Sequence, residues 1–175
     1  NYGCRILNIP DEQFNFSRAL NLGISAAKGS LIGIVSGHCI PKNEQWLARL
    51  AMHFTRNETV AVYGKQEPMP DSGSFDKRDL WTTFGLDRKI QKRDYFFHNA
   101  NSMIRRDVWA QVPFNENIHG VEDRDWAKKV LANGNQIIYE PTSVVFHHHG
   151  IHHNQSEKRV ARVVRVIELI QNNKT

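Results

Sequence analysis

The fold is decided by an apolar run that ends abruptly in polar residues, LIGIVSGH at positions 31–38. Residues 31–35 have the length of one strand and carry no polar side chain, which is typical of a strand covered on both faces in a parallel sheet. Apolar residues at helical spacing stand at 14–28 and 43–54, and a second strand-like run stands at 60–63. Strands that alternate with helices predict an α/β fold, with a mostly parallel sheet flanked by helices.

The rest of the chain continues this alternation less regularly. Residues 68–94 are rich in proline and charge, which predicts a surface excursion that is helical only near 79–86. The remaining predicted elements are a strand at 4–9, a helix at 107–111, a helix from the acidic residues to Gly134, two strands at 136–140 and 144–146, and a basic amphipathic helix at 156–171. We therefore expect one domain at 1–155, with residues 156–175 as a helix packed on it or trailing it.

Composition limits the classes of protein to which the chain can belong. Its 175 residues suit one domain with a real core, and a net charge of +5 is spread along the chain rather than clustered. Two cysteines are too few for a disulfide framework or a four-cysteine zinc site. No stretch approaches the roughly 18 apolar residues of a membrane-spanning helix, and no nucleic-acid-binding motif is present. We expect a cytoplasmic protein that binds no nucleic acid.

Polar residues follow the predicted strands at the ends where α/β sheets bind ligands. Ser36, Gly37 and His38 come directly after the first apolar run, and Gln66 lies in the loop predicted after residues 60–63. Because the carboxyl ends of parallel strands meet at one edge of a sheet, these residues are expected to share a site. His38 suits a borderline divalent metal better than magnesium, but a single histidine in a turn also serves as a hydrogen-bonding residue.

The second candidate site is the acidic stretch GVEDRDW at 120–126, at a junction between a loop and a helix. A carboxylate at a helix start is stabilised by unpaired N–H groups and by the helix dipole, so Glu122 and Asp123 are expected to stay ionised at neutral pH. Such a carboxylate can accept a proton from a hydroxyl group that attacks an activated carbon. The alternative is a purely structural helix start, with a salt bridge to Arg124 or Lys128.

A histidine cluster, HHHGIHH, follows at 147–153. In a strand, His147 and His149 would point to the same side, so the pair could hold a metal ion or a phosphate oxygen. Histidines on a solvated loop are the alternative. A histidine-metal hydrolase is a third interpretation, but no His-Glu-x-x-His helix supports it.

Amide and hydroxyl side chains stand between these regions. Asn99, Asn101 and Ser102 carry groups that suit the recognition of sugar hydroxyls, and turn formation is their alternative role. Arg105 follows them and would contact either phosphate or solvent.

Taken in order, these motifs resemble those of family 2 glycosyltransferases with the GT-A fold, which is a Rossmann-like α/β fold. No single motif decides the resemblance, but their shared order does. The matching stretches are FNFSRALNLG at 14–23, AKG at 27–29, IVSGHCIP at 34–41, WL at 46–47, VYGKQ at 62–66, NANSMIR at 99–105, GVED at 120–123, IYEP at 138–141 and HHH at 147–149. Family members also begin with a strand, a helix and an acidic loop that hold the nucleotide. The resemblance therefore implies an N-terminally truncated domain that lacks its first nucleotide-binding βα portion.

The resemblance implies an inverting transfer of a sugar from a nucleotide-diphosphate sugar to an acceptor hydroxyl. Asp123 would be the general base, with Glu122 near the acceptor. His38 would take the metal or diphosphate position, where family members usually carry an aspartate, and His147 or His149 would approach the same diphosphate. The implied cofactor is a divalent cation, Mn²⁺ or Mg²⁺, although histidine in place of aspartate favours manganese or metal-free binding. The residues expected to bind substrate are Ser36, Gly37, Gln66, Asn99, Asn101, Ser102 and Arg105.

The biological role implied by the family is assembly of surface polysaccharide or lipopolysaccharide, with a glycan or a lipid-linked acceptor. The protein would be cytoplasmic, or held peripherally at the inner face of a membrane by its basic terminal helix, whose alternative role is packing against the domain. Two other classes stay open at the level of sequence. One is a non-catalytic module that binds sugar or nucleotide, and the other is the histidine-metal hydrolase.

Overall fold

The computed structural model describes residues 3–118, 120–148 and 157–172. The described residues form six strands and six α-helices, together with one 3-10 turn at Asp11–Gln13. The strands are β1 Leu31–Val35, β2 Cys39–Pro41, β3 Thr59–Pro68, β4 Lys89–Gln91, β5 Asn101–Arg105 and β6 Gln136–His147. The helices are α1 Phe16–Ala26, α2 Trp46–Ala51, α3 Ser74–Thr83, α4 Arg106–Gln111, α5 Glu122–Ala132 and α6 Glu157–Asn172.

The sheet is mixed, so the prediction of a mostly parallel sheet was wrong, whereas the α/β class is confirmed. The strand order is β1-β5-β3-β6-β2, and β4 pairs with β6. Only β3 and β6 pair in parallel, and the other four described pairings are antiparallel. Strands β1, β3 and β6 do run in the same direction, as the alternation with helices predicts. However, β5 inserts between β1 and β3 in the opposite direction.

Strands β3 and β6 are longer than predicted, and together they support the residues of the candidate site. The separate strands predicted at 136–140 and 144–146 are one strand with a bulge, because Gly64 pairs with Glu140 while Lys65 pairs with Val144. The predicted loop after residue 63 is instead the second half of β3. A Cβ on Gly64 would collide with the carbonyl of Ser143 and with the side chain of Asn101, so only glycine fits this crossing.

Two apolar layers cover the two faces of the sheet. On one face, Trp126 of α5 packs against the rings of Phe97 and Phe114 at centroid distances of 5.6 and 5.5 Å. On the other face, Leu50 of α2 packs with Val62 and neighbouring residues of β5 and β6. Since both faces are covered, the strands read as nearly continuous apolar runs.

Helix boundaries follow the capping signals in most places. Asn15 caps α1 by accepting a 2.7 Å hydrogen bond from the backbone N–H of Arg18. Gly134, with φ of +82°, follows α5 as predicted. The strand predicted at 4–9 is absent, because residues 3–10 form neither helix nor strand.

The final helix contacts the rest of the domain near its end. Ile170 is buried, and the ammonium group of Lys128 in α5 donates a hydrogen bond to the carbonyl of Ile170. This contact supports packing rather than trailing, although the boundary at residue 155 stays a prediction. Among the described residues, no helix has both the length and the apolar character that crossing a membrane requires.

Candidate active site

The turn between β1 and β2 joins three parts of the sheet. The N–H of Ser36 donates to the carbonyl of Ala100, just before β5, at 3.2 Å. The N–H of Cys39 closes the turn on the carbonyl of Ser36 at 2.9 Å, and the N–H of His148 donates to the carbonyl of His38 at 3.2 Å. The turn that carries Ser36, Gly37 and His38 therefore lies between the start of β5 and the end of β6.

Two histidines and one cysteine meet at this turn. The potential ligand atoms of His38, Cys39 and His147 all lie within 4.8 Å of one another, and the two imidazole rings are 4.8 Å apart between centroids. Cys39 pairs with His147 across the β2–β6 ladder. His147 is buried, Cys39 is half-buried and His38 is exposed. Among the residues that the structure describes, this is the one group of three such side chains placed to hold a metal ion.

The structure thus brings together His38 and His147, which the sequence predicted, and adds Cys39, which it did not. No sequence signal indicates Cys39, because its partner is fixed by strand pairing rather than by spacing. Burial raises the pKa of the Cys39 thiol to about 12, and the hydrogen bond at Ser36 only partly opposes this. The third predicted ligand, His149, lies outside the described residues.

The Asp123 carboxylate lies at the start of α5 and is bound by two backbone N–H groups. Arg124 donates to Oδ1 at 2.8 Å, and Asn99 donates to Oδ2 at 3.4 Å. Burial raises the pKa of Asp123 to about 6, and the Arg124 charge and the backbone hydrogen bonds only partly offset this effect. The carboxylate is therefore mainly ionised at pH 7, yet its pKa is close enough to neutrality for proton transfer in both directions.

Backbone contacts connect Asp123 to the turn of His38. Asn99 binds the Asp123 carboxylate through its N–H, and the next residue, Ala100, accepts the hydrogen bond from Ser36. The segment 99–100 therefore lies between the acidic helix start and the turn that carries the imidazole of His38. These contacts are consistent with one shared site for Asp123 and His38, which stays a prediction.

Glu122 closes the turn that leads into α5. Its carboxylate is buried and accepts a 3.1 Å hydrogen bond from the N–H of Gly120, whose φ of +90° favours glycine. This bond orients the backbone before α5, so Glu122 and Asp123 differ in their surroundings although they are adjacent.

Three of the predicted substrate-binding side chains are buried and carry polar atoms without a hydrogen-bond partner in the described part of the chain. These groups are both amide atoms of Asn99, both amide atoms of Gln66 and the hydroxyl of Ser102. Buried polar groups in proteins are nearly always paired with protein, water or ligand. Asn99 is adjacent to the Asp123 carboxylate, whereas Ser102 lies in β5 between β1 and β3.

Asn101 holds the scaffold together. Its amide nitrogen donates to the carbonyls of Lys65 and Ser143 at 3.0 and 2.9 Å, and its amide oxygen accepts from the indole N–H of Trp46 at 2.6 Å. The side chain is fully buried. These contacts satisfy the amide within the protein and favour a structural role over the predicted contact with a sugar.

Arg105 lies at the opposite end of β5 from the site. It pairs with Leu31 at the start of β1, about 13 Å along the strand from Asn101. Its guanidinium donates to the backbone carbonyls of Thr59, Phe54 and Arg56 at 2.9–3.1 Å. The prediction that Arg105 joins the substrate site was therefore wrong, because the antiparallel direction of β5 carries it away.

Sequence reasoning also missed an ion cluster near the end of β3. Glu67 pairs with Lys42 at 2.7 Å and with Lys65 at 3.2 Å. Burial acts to raise the pKa of Glu67, but hydrogen bonds and charge from the two lysines overcome it and lower the pKa below its usual range. The sequence signal that could have predicted this cluster is the pair of opposite charges at alternate positions, Lys65 and Glu67, on the same face of one strand. The next residue, Pro68, pairs with His147, so the cluster borders the imidazole site.

Solved glycosyltransferases share this arrangement of strands and helices. The mannosyltransferase PcManGT from Pyrobaculum calidifontis, solved in complex with GDP-Man and Mn²⁺, matches with a TM-score of 0.64 and 17% identity, over 91% of this chain and 44% of its own. GalNAc-T7, solved with UDP, GalNAc and Mn²⁺, matches with a TM-score of 0.61 and 17% identity, over 88% of this chain and 34% of its own. The fold is therefore that of the GT-A glycosyltransferases.

The sequence itself gives the family. Residues 1–112 match the model of glycosyl transferase family 2, and the chain belongs to that family. A curated relative, glycosyltransferase AglE from Haloferax volcanii, is 28% identical over 134 residues, which are 75% of this chain and 43% of the relative. The chain thus spans less than half the length of these relatives. The predicted resemblance is confirmed.

Proposed function

We propose that the chain carries the acceptor side and the metal side of an inverting glycosyltransferase, which moves a sugar from a nucleotide-diphosphate sugar to an acceptor hydroxyl. The observation that carries the proposal is the Asp123 carboxylate, which has a pKa near 6 and is held by Asn99 beside the turn of His38. The structures of PcManGT and GalNAc-T7 with nucleotides and sugars support a nucleotide-sugar donor for this fold.

Asp123 is the proposed general base. The acceptor hydroxyl would give its proton to a carboxylate oxygen of Asp123 as the hydroxyl oxygen bonds to the anomeric carbon of the donor. The bond between that carbon and the diphosphate oxygen breaks on the opposite side, which inverts the anomeric configuration. Glu122 is bound to the turn and is proposed to fix the backbone that presents Asp123 to the acceptor.

The proposed donor contacts lie at the edge where β1, β3 and β6 end. The buried amide of Asn99 is proposed to bind sugar hydroxyls, because it is adjacent to Asp123 and has no hydrogen-bond partner among the residues that the structure describes. Gln66 and Ser102 are proposed to bind the donor directly or through ordered water, while Ser36 and Gly37 offer backbone and hydroxyl groups in the turn.

A divalent cation is proposed to accompany the diphosphate, as Mn²⁺ does in the solved relatives. The donor set of His38 and His147 fits a transition-metal ion, since imidazole binds such ions well and Mg²⁺ poorly. When bound, the ion would offset the charge that develops on the departing diphosphate. We expect Mn²⁺ to support the reaction better than Mg²⁺.

The acceptor is proposed to be a glycan or a lipid-linked glycan in polysaccharide or lipopolysaccharide assembly, which rests on analogy with the family. Exposed Val164 and Leu169 on α6, together with Arg165, support a peripheral contact with the inner face of a membrane. Binding of the protein to anionic vesicles, with Leu169→Glu for comparison, tests this part separately. Equal binding by both proteins would remove α6 as the contact.

The central test measures release of nucleoside diphosphate from GDP- and UDP-sugars with Mn²⁺, using the full-length protein and Asp123→Asn. We expect kcat to fall about 100-fold or more, with the Kd for the donor unchanged. Asp107→Asn is the matched control, because Asp107 also stands in a first helical turn and accepts a backbone hydrogen bond, at 2.9 Å. A normal rate in Asp123→Asn would refute the base assignment. Donor binding without turnover in the unaltered protein would instead indicate a binding module.

A further inference from the structure

We propose that Cys39 is the third protein ligand of the cation site, so that the site prefers Zn²⁺ or Co²⁺ over Mn²⁺ and Mg²⁺. The inference rests on the proposed function only in assigning the site to the diphosphate, since metal binding itself requires no nucleotide. It concerns Cys39, to which the motif pattern described above assigns no role.

The backbone fixes two of the ligands on paired strands and the third in the turn that precedes one of them. Cys39 lies directly opposite His147 in the antiparallel β2–β6 ladder, so their side chains stand on the same face with Cβ atoms about 5 Å apart. His38 directly precedes this pair, and its carbonyl accepts the N–H of His148. The three residues are thus positioned by ladder and turn hydrogen bonds.

The distances suit one small ion after minor side-chain rotation. Tetrahedral zinc has metal–ligand distances of about 2.0–2.3 Å, which place its ligand atoms roughly 3.3–3.7 Å apart. The ligand atoms of the site lie within 4.8 Å of one another. His38 is exposed, whereas His147 is 3% exposed and lies within the buried part of the sheet. Three protein ligands would leave a fourth position open towards solvent, as in catalytic zinc sites.

The chemistry of the ligand atoms determines which metal ion the site prefers. Thiolate and imidazole ligands select zinc and similar ions, whereas Mg²⁺ and Mn²⁺ favour carboxylates, carbonyls and water. The described group contains two imidazoles and one sulfur, with no carboxylate among its members. A thiol that coordinates such an ion is deprotonated by it. For equal ligands, Mn²⁺ is also the weakest binder of the first-row divalent series.

The experiment uses Co²⁺ as a spectroscopic stand-in for Zn²⁺, without nucleotide. We expect the protein to give a near-ultraviolet thiolate-to-cobalt charge-transfer band, which Zn²⁺ should abolish by competition. Cys39→Ser should lose the band and bind Zn²⁺ at least about tenfold more weakly, because even outer-shell partners change metal affinity by roughly 10- to 100-fold. Cys4→Ser is the matched control and should behave like the unaltered protein, since Cys4 is an exposed thiol outside the site.

Calorimetric titration completes the test. Zn²⁺ should bind at least tenfold more tightly than Mn²⁺, and Cys39→Ser should leave the Mn²⁺ affinity unchanged. His38→Ala replaces an exposed side chain and should weaken Co²⁺ binding at least tenfold without loss of folding. A charge-transfer band that persists in Cys39→Ser, or equal affinity for Zn²⁺ and Mn²⁺, would overturn the inference. Such a result would leave donor turnover with Mn²⁺ intact, and loss of turnover would leave the cobalt band intact, so the two proposals fail separately.

Discussion

Replacement of Asp123 by asparagine should make the folded protein more stable at pH 7 while it removes catalysis. The folded protein raises the pKa of Asp123 from 3.8 to about 6, chiefly by burial. Between these two pH values the folded state binds the proton more tightly than the unfolded state does. The stability provided by this proton is therefore complete below pH 3.8 and is lost as the pH rises through about 6.

The size of the effect on the free energy of unfolding follows from the same shift in the pKa of Asp123. A rise from 3.8 to about 6 corresponds to about 3 kcal/mol at neutral pH. Asp123 as a whole residue is partly exposed, and solvent screening reduces the expected effect to about 1–2 kcal/mol. Asparagine has one acceptor oxygen, so it can keep the 2.8 Å bond from Arg124 while it loses the longer bond from Asn99, and it carries no charge that burial opposes.

Urea unfolding of the protein and of Asp123→Asn at pH 7 and pH 4 measures this difference. The free energy of unfolding of Asp123→Asn should be higher by about 1–2 kcal/mol at pH 7, and the gain should largely vanish at pH 4. If the carboxylate were only a structural helix start, its replacement by asparagine would instead destabilise the protein, by about 0.3–1 kcal/mol for loss of a negative charge in the first helical turn. A lower stability at pH 7 would therefore refute the reasoning. Asp107→Asn, in an exposed first turn, should show no gain at either pH.

The same structure predicts effects at other positions. Turnover should fall about tenfold for each pH unit below 6, because only ionised Asp123 accepts a proton, and a flat profile down to pH 5 would contradict this. Gly64→Ala should lower the free energy of unfolding by about 1–3 kcal/mol, since its Cβ would collide with backbone and side-chain atoms, whereas Gly37→Ala, whose Cβ meets open space, should be neutral in the same assay. Asn101→Ala should lower the free energy of unfolding by about 3 kcal/mol or more, because it removes three hydrogen bonds of a buried amide, and stability equal to the parent would disprove its scaffold role. Arg105→Met should lower the midpoint temperature of thermal unfolding yet leave the Kd for the donor unchanged, because Arg105 binds backbone carbonyls far from the site. Weaker donor binding would show that Arg105 does belong to the substrate site.

The sequence by itself determined the local elements that bury one face or both. The run at 31–35 is a strand and Gly134 follows α5, both as predicted. These features depend on the spacing of apolar residues and on the chemistry of a few capping positions, both of which can be read within a short window. The order of the motifs also predicted the family, because that order does not depend on how the strands pair.

Only the tertiary structure decided which strands are neighbours. Any strand can offer its backbone N–H and C=O groups to any other, so spacing could not show that β5 inserts antiparallel between β1 and β3. That insertion carries Arg105 to the far end of the sheet and places Asn101 in the scaffold. It also brings Ala100 to the turn at Ser36, next to the residue whose N–H binds Asp123.

Cys39 is the clearest example of a site residue that the sequence alone could not predict. Its neighbour His38 stands out in the sequence because it follows an apolar strand, but nothing local marks a cysteine in an ordinary apolar context. The β2–β6 ladder sets Cys39 opposite His147 and so creates the cluster. That pairing depends on backbone hydrogen bonds between residues far apart in the chain. The spacing of residues in the sequence does not show which strands form such bonds.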